Sequence, residues 1–342
     1  MMQNILVTGG AGFIGSEFAR RMIANHPSYK VVVFDKLTYA GNLDNLLPIS
    51  ENPNYAFVQG DITDHAAVER TLEEHAIDAI VNFAAESHVD RSILNPDAFI
   101  QTDVVGVYVL LESARKLGIN RFHHVSTDEV YGSIPEGTFR EGDSLEPNSP
   151  YAASKAGGEM MLRAYHVTYG MHTTVTRGSN TFGPYQYPEK IAPFFITEAL
   201  DDRPLPLYGD GMQVRDWLYV GDHCDAIDTV LHKGAPGEIY NVGGEHELHN
   251  IEVTHFILQA LGKPETLIRH VADRPGHDRR YALTNDKIRR ELGWSQQHTF
   301  EEAMAATVEW YRQNEWWWRK IKTGEYLDFY KAQYAERLAQ AE

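Results

Sequence analysis

Short apolar runs alternate with stretches of helical periodicity from the beginning of the chain. Residues 5–8, 30–35, 55–59, 79–82, 121–126 and 172–177 are apolar enough at successive positions to be strands of a parallel sheet covered on both faces. Between them, 13–25, 66–75, 96–117 and 151–169 have helical length and period, with Gly118 and Gly170 placed as C-terminal stops. This βαβ rhythm predicts an α/β fold, a Rossmann-like doubly wound parallel sheet. After residue 180, glycine, proline and tyrosine become frequent, as in NTFGPYQYPEK and RPLPLYGDGMQ, and short strands stand beside shorter helices. The division expected is a first domain over 1–180 and a smaller C-terminal lobe over 181–342. The lobe is interleaved with the first domain, because 214–220 and 239–242 read as strands that could return to the edge of the first sheet.

The turn after the first strand is rich in glycine. Gly9, Gly10, Ala11, Gly12, Phe13, Ile14 and Gly15 fit both G-x-G-x-x-G and G-x-x-G-x-x-G, between a strand and a helix. Glycine there lets backbone N–H groups approach a pyrophosphate at a helix N-terminus, where the dipole favours negative charge. Asp35 ends the second strand twenty residues after Gly15, the position of a carboxylate that hydrogen-bonds adenosine ribose hydroxyls. Its charge repels a 2′-phosphate, so NAD is preferred over NADP. Asp61 and Ile62, after the third strand, are candidates for contact with the adenine, although a strand-end turn explains Asp61 nearly as well.

A second constellation follows the fifth strand. Thr127, Asp128 and Glu129 stand at its carboxyl end, where ligands bind in open α/β sheets. Tyr151 precedes Lys155 by four positions, on one face of a helix. The ammonium is expected to draw the phenol down from its free pKa of about 10. A Tyr/Lys pair suits alcohol oxidation. Two adjacent carboxylates suit elimination of water, which needs a base for a C–H and an acid for the departing hydroxyl. Taken singly, YxxxK recurs on exposed helices and Thr-Asp-Glu is a common N-cap; their shared place at the strand ends favours chemistry.

Composition narrows the function. At 342 residues and 43% hydrophobic content the chain can bury a sizeable core. A formal charge of −17, from 48 acidic and 31 basic residues, disfavours a nucleic-acid or anionic-membrane surface. Cys224 is the single cysteine, so no disulfide forms within the chain, and a buried structural thiol is expected. The chain enters a strand by Asn4 with no basic region or cleavage site ahead, and no apolar run reaches membrane-spanning length, so a cytoplasmic setting is expected. His123 and His124 alternate faces of a strand with no Cys or His partners at metal spacing, so no metal is expected. Trp316, Trp317 and Trp318 cannot share one helical face, and are expected to pack a C-terminal segment onto the second lobe.

With these motifs placed, the chain resembles the extended short-chain dehydrogenase/reductase family, and within it the sugar-nucleotide 4,6-dehydratases that act on dTDP-glucose. The likeness runs nearly end to end: GGAGFIG from Gly9, DKLTYAGN from Asp35, NFAAESHVDRS from Asn82, STDEVYG from Ser126, YAASK from Tyr151, RGSNTFGPYQYPEK from Arg177, RDWLYVGDH from Arg215 and DRPGHDRRYA from Asp273. The glycine loop and YxxxK mark the broad family. Thr-Asp-Glu separates these dehydratases from the related 4-epimerases, which have no acid/base pair at that place.

The resemblance implies a NAD-dependent hydro-lyase. Tyr151, assisted by Lys155 and Thr127, would take the proton of the sugar 4-hydroxyl while hydride passes to NAD. Glu129 would then take the proton at carbon 5, Asp128 would protonate the leaving 6-hydroxyl, and hydride would return to carbon 6. It further implies that Lys36, Thr38, Ala84, Ala85, Ser87 and Thr102 join Gly9, Gly12, Phe13, Ile14, Gly15, Asp35, Asp61 and Ile62 in the cofactor pocket. Ser87, Thr127, Asn180, Glu189, Lys190, Pro206, Tyr208, Arg215, Asn250, Arg274 and His277 would hold the nucleotide diphosphate and sugar. Arg and His around Pro275 and Gly276 suit a diphosphate in so acidic a chain, against a solvated loop as the alternative. A homodimer joined through the helices 96–117 and 151–169 is also implied. Other readings are a 4-epimerase, decarboxylase or different dehydratase of the same family, and a nucleotide-sensing protein without turnover. Asp128 and Glu129 argue against the epimerase, and four interacting ionisable groups in one cleft argue against the sensor.

Overall fold

In the computed structural model, which describes residues 2–273, 277–324, 326 and 330–339, the predicted strands assemble around one central sheet. Its members are β1 (Asn4–Thr8), β2 (Lys30–Asp35), β3 (Tyr55–Gln59), β4 (Ala79–Asn82), β5 (Arg121–Thr127) and β6 (His172–Gly178). The later strands are β7 (Asn180–Phe182), β8 (Leu205–Tyr208), β9 (Val214–Tyr219), β10 (Ile239–Val242), β11 (Glu247–His249) and β12 (Ile268–Val271). The sheet has seven strands in the order β3-β2-β1-β4-β5-β6-β10, all paired in parallel. Val7 of β1 stands opposite Val33 on one side and Val81 on the other, and all three are fully buried. Strand order reverses between β1 and β4, which opens a crevice at their carboxyl ends. A polar ladder crosses the sheet just beneath it, from Thr8 to Asn82 (2.5 Å) and from Asn82 to His124 (3.0 Å).

The helices are α1 (Phe13–Asn25), α2 (His65–Glu74), α3 (Val89–Leu94), α4 (Asp97–Ile100), α5 (Val107–Lys116), α6 (Pro150–Tyr169), α7 (Ile191–Leu200), α8 (Val220–Lys233), α9 (Asn250–Leu261), α10 (Asp286–Leu292), α11 (Phe300–Gln313) and α12 (Glu315–Ile321). Gly170 caps α6 in the left-handed region at φ 69°, as its position predicts. The helix expected over 96–117 forms as one continuous helical run over 97–116, in which α4 and α5 are joined by a π-helical turn, Gln101–Gly106. Widening the turn there carries the Asp103 carboxylate inward, where it accepts hydrogen bonds from Ser154 Oγ (2.6 Å) and the Glu86 N–H (3.2 Å).

The two halves interleave, but not as both strand expectations had it. The 239–242 run does return, as β10 beside β6. The 214–220 run does not: β9 pairs with β7 and β11 in a separate three-stranded sheet. Asp216 explains the preference, because its buried carboxylate accepts the N–H groups of Gly244 (2.9 Å) and His246 (2.8 Å) and so ties β9 to the β10–β11 connection. Between β9 and β10, α8 packs on α1, burying Cys224, Ile227 and Leu231 against Phe18 and Met22. Trp317 and Trp318 are buried in the core of the C-terminal lobe while Trp316 is exposed, and Trp317 also donates to Asn45 Oδ1 at 2.9 Å. Among the described residues no helix is long and apolar enough to cross a membrane.

Candidate active site

The glycine loop is shaped by close backbone approaches. Gly9 has φ +65°, and a Cβ there would lie 2.5 Å from the Ala84 nitrogen; a Cβ on Gly15 would lie 2.5 Å from the Gly9 carbonyl oxygen. Gly12 begins α1 without a side-chain cap, and no acidic residue stands in the first turn. The orphan N–H groups of that turn are therefore open to an anion, as a dinucleotide pyrophosphate requires. Asp35 accepts the N–H groups of Ala11 (2.9 Å) and Leu37 (2.8 Å), each of its oxygens keeping a further lone pair. Burial holds its carboxyl above the ordinary range. Lys36 pairs with Asp61 at 2.6 Å at the rim.

These elements enclose a groove of ≈ 360 Å³ along the carboxyl ends of the sheet, a size suited to a bound small molecule. Every residue expected in the cofactor pocket lines it, from Gly9 and Asp35 through Thr38, Ile62, Ala85 and Thr102 to Lys155. Thr127, Asp128, Glu129 and Tyr151 line it too, as do Ser87, Asn180, Glu189 and Lys190 from the expected substrate set. The residues thus fit NAD: an uncapped helix start, a glycine turn and an acid at the second strand end share one groove.

Thr127 ends β5 and caps the short turn Asp128–Tyr131. Ser149 caps α6 by accepting the Ala152 N–H at 3.1 Å, with Pro150 as its first residue, so Tyr151 stands in the first turn of α6 and Lys155 one turn later. Asp128 is 2% exposed. Burial first, then the charges of Glu129 and Asp216, push its carboxyl well above the usual carboxylate range, against an opposing pull from Arg215. Its Oδ1 accepts from Thr127 Oγ1 at 3.2 Å, whereas Oδ2 has no partner among the described residues. A carboxyl whose proton affinity is raised in this way meets the condition of a general acid.

The expectation for Tyr151 is corrected. Its phenol is pushed well above the ordinary value, by burial, then Glu129 and Asp103, with a hydrogen bond to Thr127 opposing. The Lys155 Nζ donates to the Val125 carbonyl at 2.8 Å, and burial lowers its own proton affinity.

The remaining expected substrate residues gather elsewhere. Pro206, Tyr208, Arg215, Asn250 and His277 do not line the groove, and Arg274 lies outside the described residues. The Tyr208 ring stands edge-on to His277 at 6.1 Å, His277 Nδ1 is 2.6 Å from Asp273, and Gln213 donates to Asp273 at 2.8 Å. The Asn250 N–H donates to the Gln213 carbonyl at 3.0 Å, and the Asn250 Oδ1 is buried without a partner among the described residues. Pro206 lies on β8, opposite Arg269 of β12. Arg215 donates to the Asp278 carbonyl at 3.0 Å and covers the Tyr281 ring at 4.5 Å. Glu189 and Lys190 fasten the lobes together: Glu189 accepts from Tyr39 (3.0 Å) and Arg91 (3.3 Å), and Lys190 donates to the Ser87 carbonyl at 2.5 Å.

The family model described as GDP-mannose 4,6 dehydratase matches residues 6–307. The chain belongs to this nucleotide-sugar dehydratase family. A dTDP-glucose 4,6-dehydratase from Xanthomonas campestris pv. campestris (strain B100) is 52% identical over 344 residues, covering 95% of this chain and 97% of the relative. One from Streptomyces niveus is 50% identical over 323 residues, covering 93% and 96%. The crystal structure of DesIV, a dTDP-glucose 4,6-dehydratase from Streptomyces venezuelae with NAD and TYD bound, matches with a TM-score of 0.91 and 52% identity, over 94% of this chain and all of that one.

The dehydratase site also contains groups that sequence reasoning missed. Asp103 is fully buried and pushed up to about 6 by desolvation, with Lys155 and the Ser154 hydroxyl pulling it back. Read as one uninterrupted helix, 96–117 offered no signal that this carboxylate turns inward. His223 lines the groove, its Nδ1 2.9 Å from Thr181 Oγ1, and burial lowers it to about 4. It ends the RDWLYVGDH motif, so a signal existed. Glu86, in NFAAESHVDRS, lines the groove as well, and burial raises its carboxyl.

Proposed function

We propose that this protein converts dTDP-glucose to dTDP-4-keto-6-deoxyglucose with NAD retained through each turnover. The observation that carries the reading is the buried Asp128, its carboxyl raised well above the usual range, beside Glu129 and in the same groove as Tyr151 and Lys155. An alcohol dehydrogenase or a 4-epimerase breaks no C–O bond and has no use for that acid. When bound, NAD supplies a store that accepts hydride from carbon 4 and gives it back at carbon 6, together with a positive ring whose field favours a phenolate.

The chain's own groups then divide the proton work. Tyr151 accepts the 4-hydroxyl proton, helped by the Thr127 hydrogen bond, against the burial and the Glu129 and Asp103 charges that oppose ionisation. Lys155 is assigned the assisting role through reorientation of its ammonium from the Val125 carbonyl towards the phenol. The 4-ketone so formed acidifies the C5–H. Glu129 removes that proton, and Asp128 gives its own to the departing 6-hydroxyl. The nucleotide diphosphate is assigned to Asn180, Glu189, Lys190 and the cluster of Pro206, Tyr208, Arg215, Asn250, Arg274 and His277.

The finer assignments follow the same reading. The chain divides into a NAD-binding domain, 1–180, and a mainly substrate-binding lobe, 181–342, with α8 and β10 returning to the first. Two copies pair through α5 and α6, because Met160 (47% exposed) and Val167 (68%) continue with Ala153, Gly157 and Ala164 as one apolar stripe along α6. A cytoplasmic setting accords with a single, buried, unpaired cysteine.

The test is to incubate the purified protein and NAD with dTDP-, UDP- and GDP-hexoses and follow loss of water by mass spectrometry. Substrate deuterated at carbon 4 should give product deuterated at carbon 6, with solvent hydrogen at carbon 5. Label returned to carbon 4 would instead indicate an epimerase, and comparable dehydration of UDP-glucose would remove the dTDP assignment.

A further inference from the structure

A second set of convergent side chains lies at the far end of α1. His26 follows the last turn of α1, and Asp228 and His232 stand one turn apart near the end of α8. His26 Nε2 is 3.0 and 3.1 Å from the two Asp228 oxygens, and His232 Nδ1 is 2.7 Å from Asp228 Oδ1. One ligand atom from each residue falls within 4.8 Å of the others, and among the described residues this is the one group of three His, Cys, Asp or Glu side chains that does so. Each side chain keeps between a fifth and about a quarter of its surface in solvent, so an ion could enter.

We infer that His26, Asp228 and His232 form a binding site for a divalent transition-metal ion of the zinc type. Two imidazoles and a carboxylate are the donor set such ions favour, and ligands held about 2.0–2.1 Å from zinc stand about 3 Å or slightly more from one another. Both histidines already stand near that distance from Asp228, at 3.1 and 2.7 Å, and because the two imidazoles stack with centroids 4.7 Å apart, a rotation of one ring is needed to bring both nitrogens onto the ion. Asp228 and His232 are separated by four positions on one helix, which fixes them on one face.

Two surroundings favour a cation. Both α1 and α8 end here, so their carboxyl ends add partial negative charge. Tyr29 Oη lies 3.0 Å from His232 Nε2, and its ring stacks on His26 with centroids 4.8 Å apart. Without metal, His232 Nδ1–H faces the Asp228 carboxylate and the Asp228 backbone carbonyl at 2.9 Å. With metal on Nδ1 the proton moves to Nε2 and is donated to Tyr29 Oη, an outer-shell partner of the kind that orients metal-bound histidines. Opposing the ion is Arg121, whose guanidinium donates to the Leu231 carbonyl and repels positive charge on His232. The site lies a helix length, about 20 Å, from the glycine turn, so the ion would pin α1 to α8 rather than take part in the chemistry.

The experiment uses the full chain without an affinity tag, stripped with a chelator and titrated with zinc chloride by calorimetry. Saturable uptake of one equivalent is expected, with a rise in Tm, and His26→Asn with His232→Asn should abolish both while turnover without zinc is unchanged. Absence of saturable uptake, or equal uptake by the double variant, would overturn the assignment. Should the double variant not fold, acylation of His26 and His232 by diethyl pyrocarbonate in the unaltered protein decides the matter by peptide mass. Zinc should suppress labelling at both positions, and undiminished labelling would refute the site.

Discussion

Asp128 and Glu129 are neighbours in the chain, and after burial itself the charge of Glu129 is the largest influence raising the proton affinity of Asp128. The raised Asp128 is thereby assigned the acid and Glu129 the base, although both are carboxylates. Asp128→Asn should lower turnover on the order of a hundredfold or more while exchange of the carbon 5 hydrogen with deuterated water continues. Glu129→Gln should lose both. Mass spectrometry of substrate and product distinguishes the outcomes, and near-normal turnover in Asp128→Asn would remove it from the mechanism.

Asp103 predicts a pH dependence of stability. Its pKa is raised from 3.8 to about 6, chiefly by burial, so over that interval the native state holds a proton that the unfolded chain has released. Stability from this group is then present below about pH 4 and falls as pH rises to 6, by about 2–3 kcal/mol in total. Asp103→Asn removes the contribution. The difference between unaltered protein and variant, measured by urea unfolding from pH 4 to 7, should decline over that window and level off above it; a constant difference would show that Asp103 titrates normally.

Arg177 and Glu159 form a buried ion pair beneath the site, 2.5 Å at the closest approach, and Arg177 also donates to Tyr131 Oη at 2.6 Å. This fastens α6 to the last residue of the turn that carries Asp128 and Glu129. Arg177→Met leaves a buried carboxylate without its counter-charge and should cost about 3–5 kcal/mol. Adding Glu159→Met should restore most of that loss in chemical denaturation. If the double variant were no more stable than the single, the charge pairing would not be the source of the cost.

The apolar stripe on α6 gives a test of assembly. Val167→Glu with Met160→Glu places two charges on a surface proposed to be covered by a second copy. Sedimentation should change from dimer to monomer, with a folded monomer by circular dichroism. An unchanged mass would move the interface elsewhere.

The periodicity of residues 5–8, 30–35 and 79–82 was enough to specify buried parallel strands, because a strand covered on both faces leaves its signature at successive positions. The glycine turn, Asp35 and the Thr-Asp-Glu and YxxxK motifs were legible for a similar reason: their function depends on local spacing at the ends of elements. What the chain alone left undecided depends on contacts between distant segments. The place of β9 follows from Asp216 meeting Gly244 and His246, and the inward turn of Asp103 follows from Ser154 and Glu86. The raised carboxyl of Asp128 and the raised phenol of Tyr151 belong to the same class, since burial is set by everything packed around a group and not by its neighbours in the sequence.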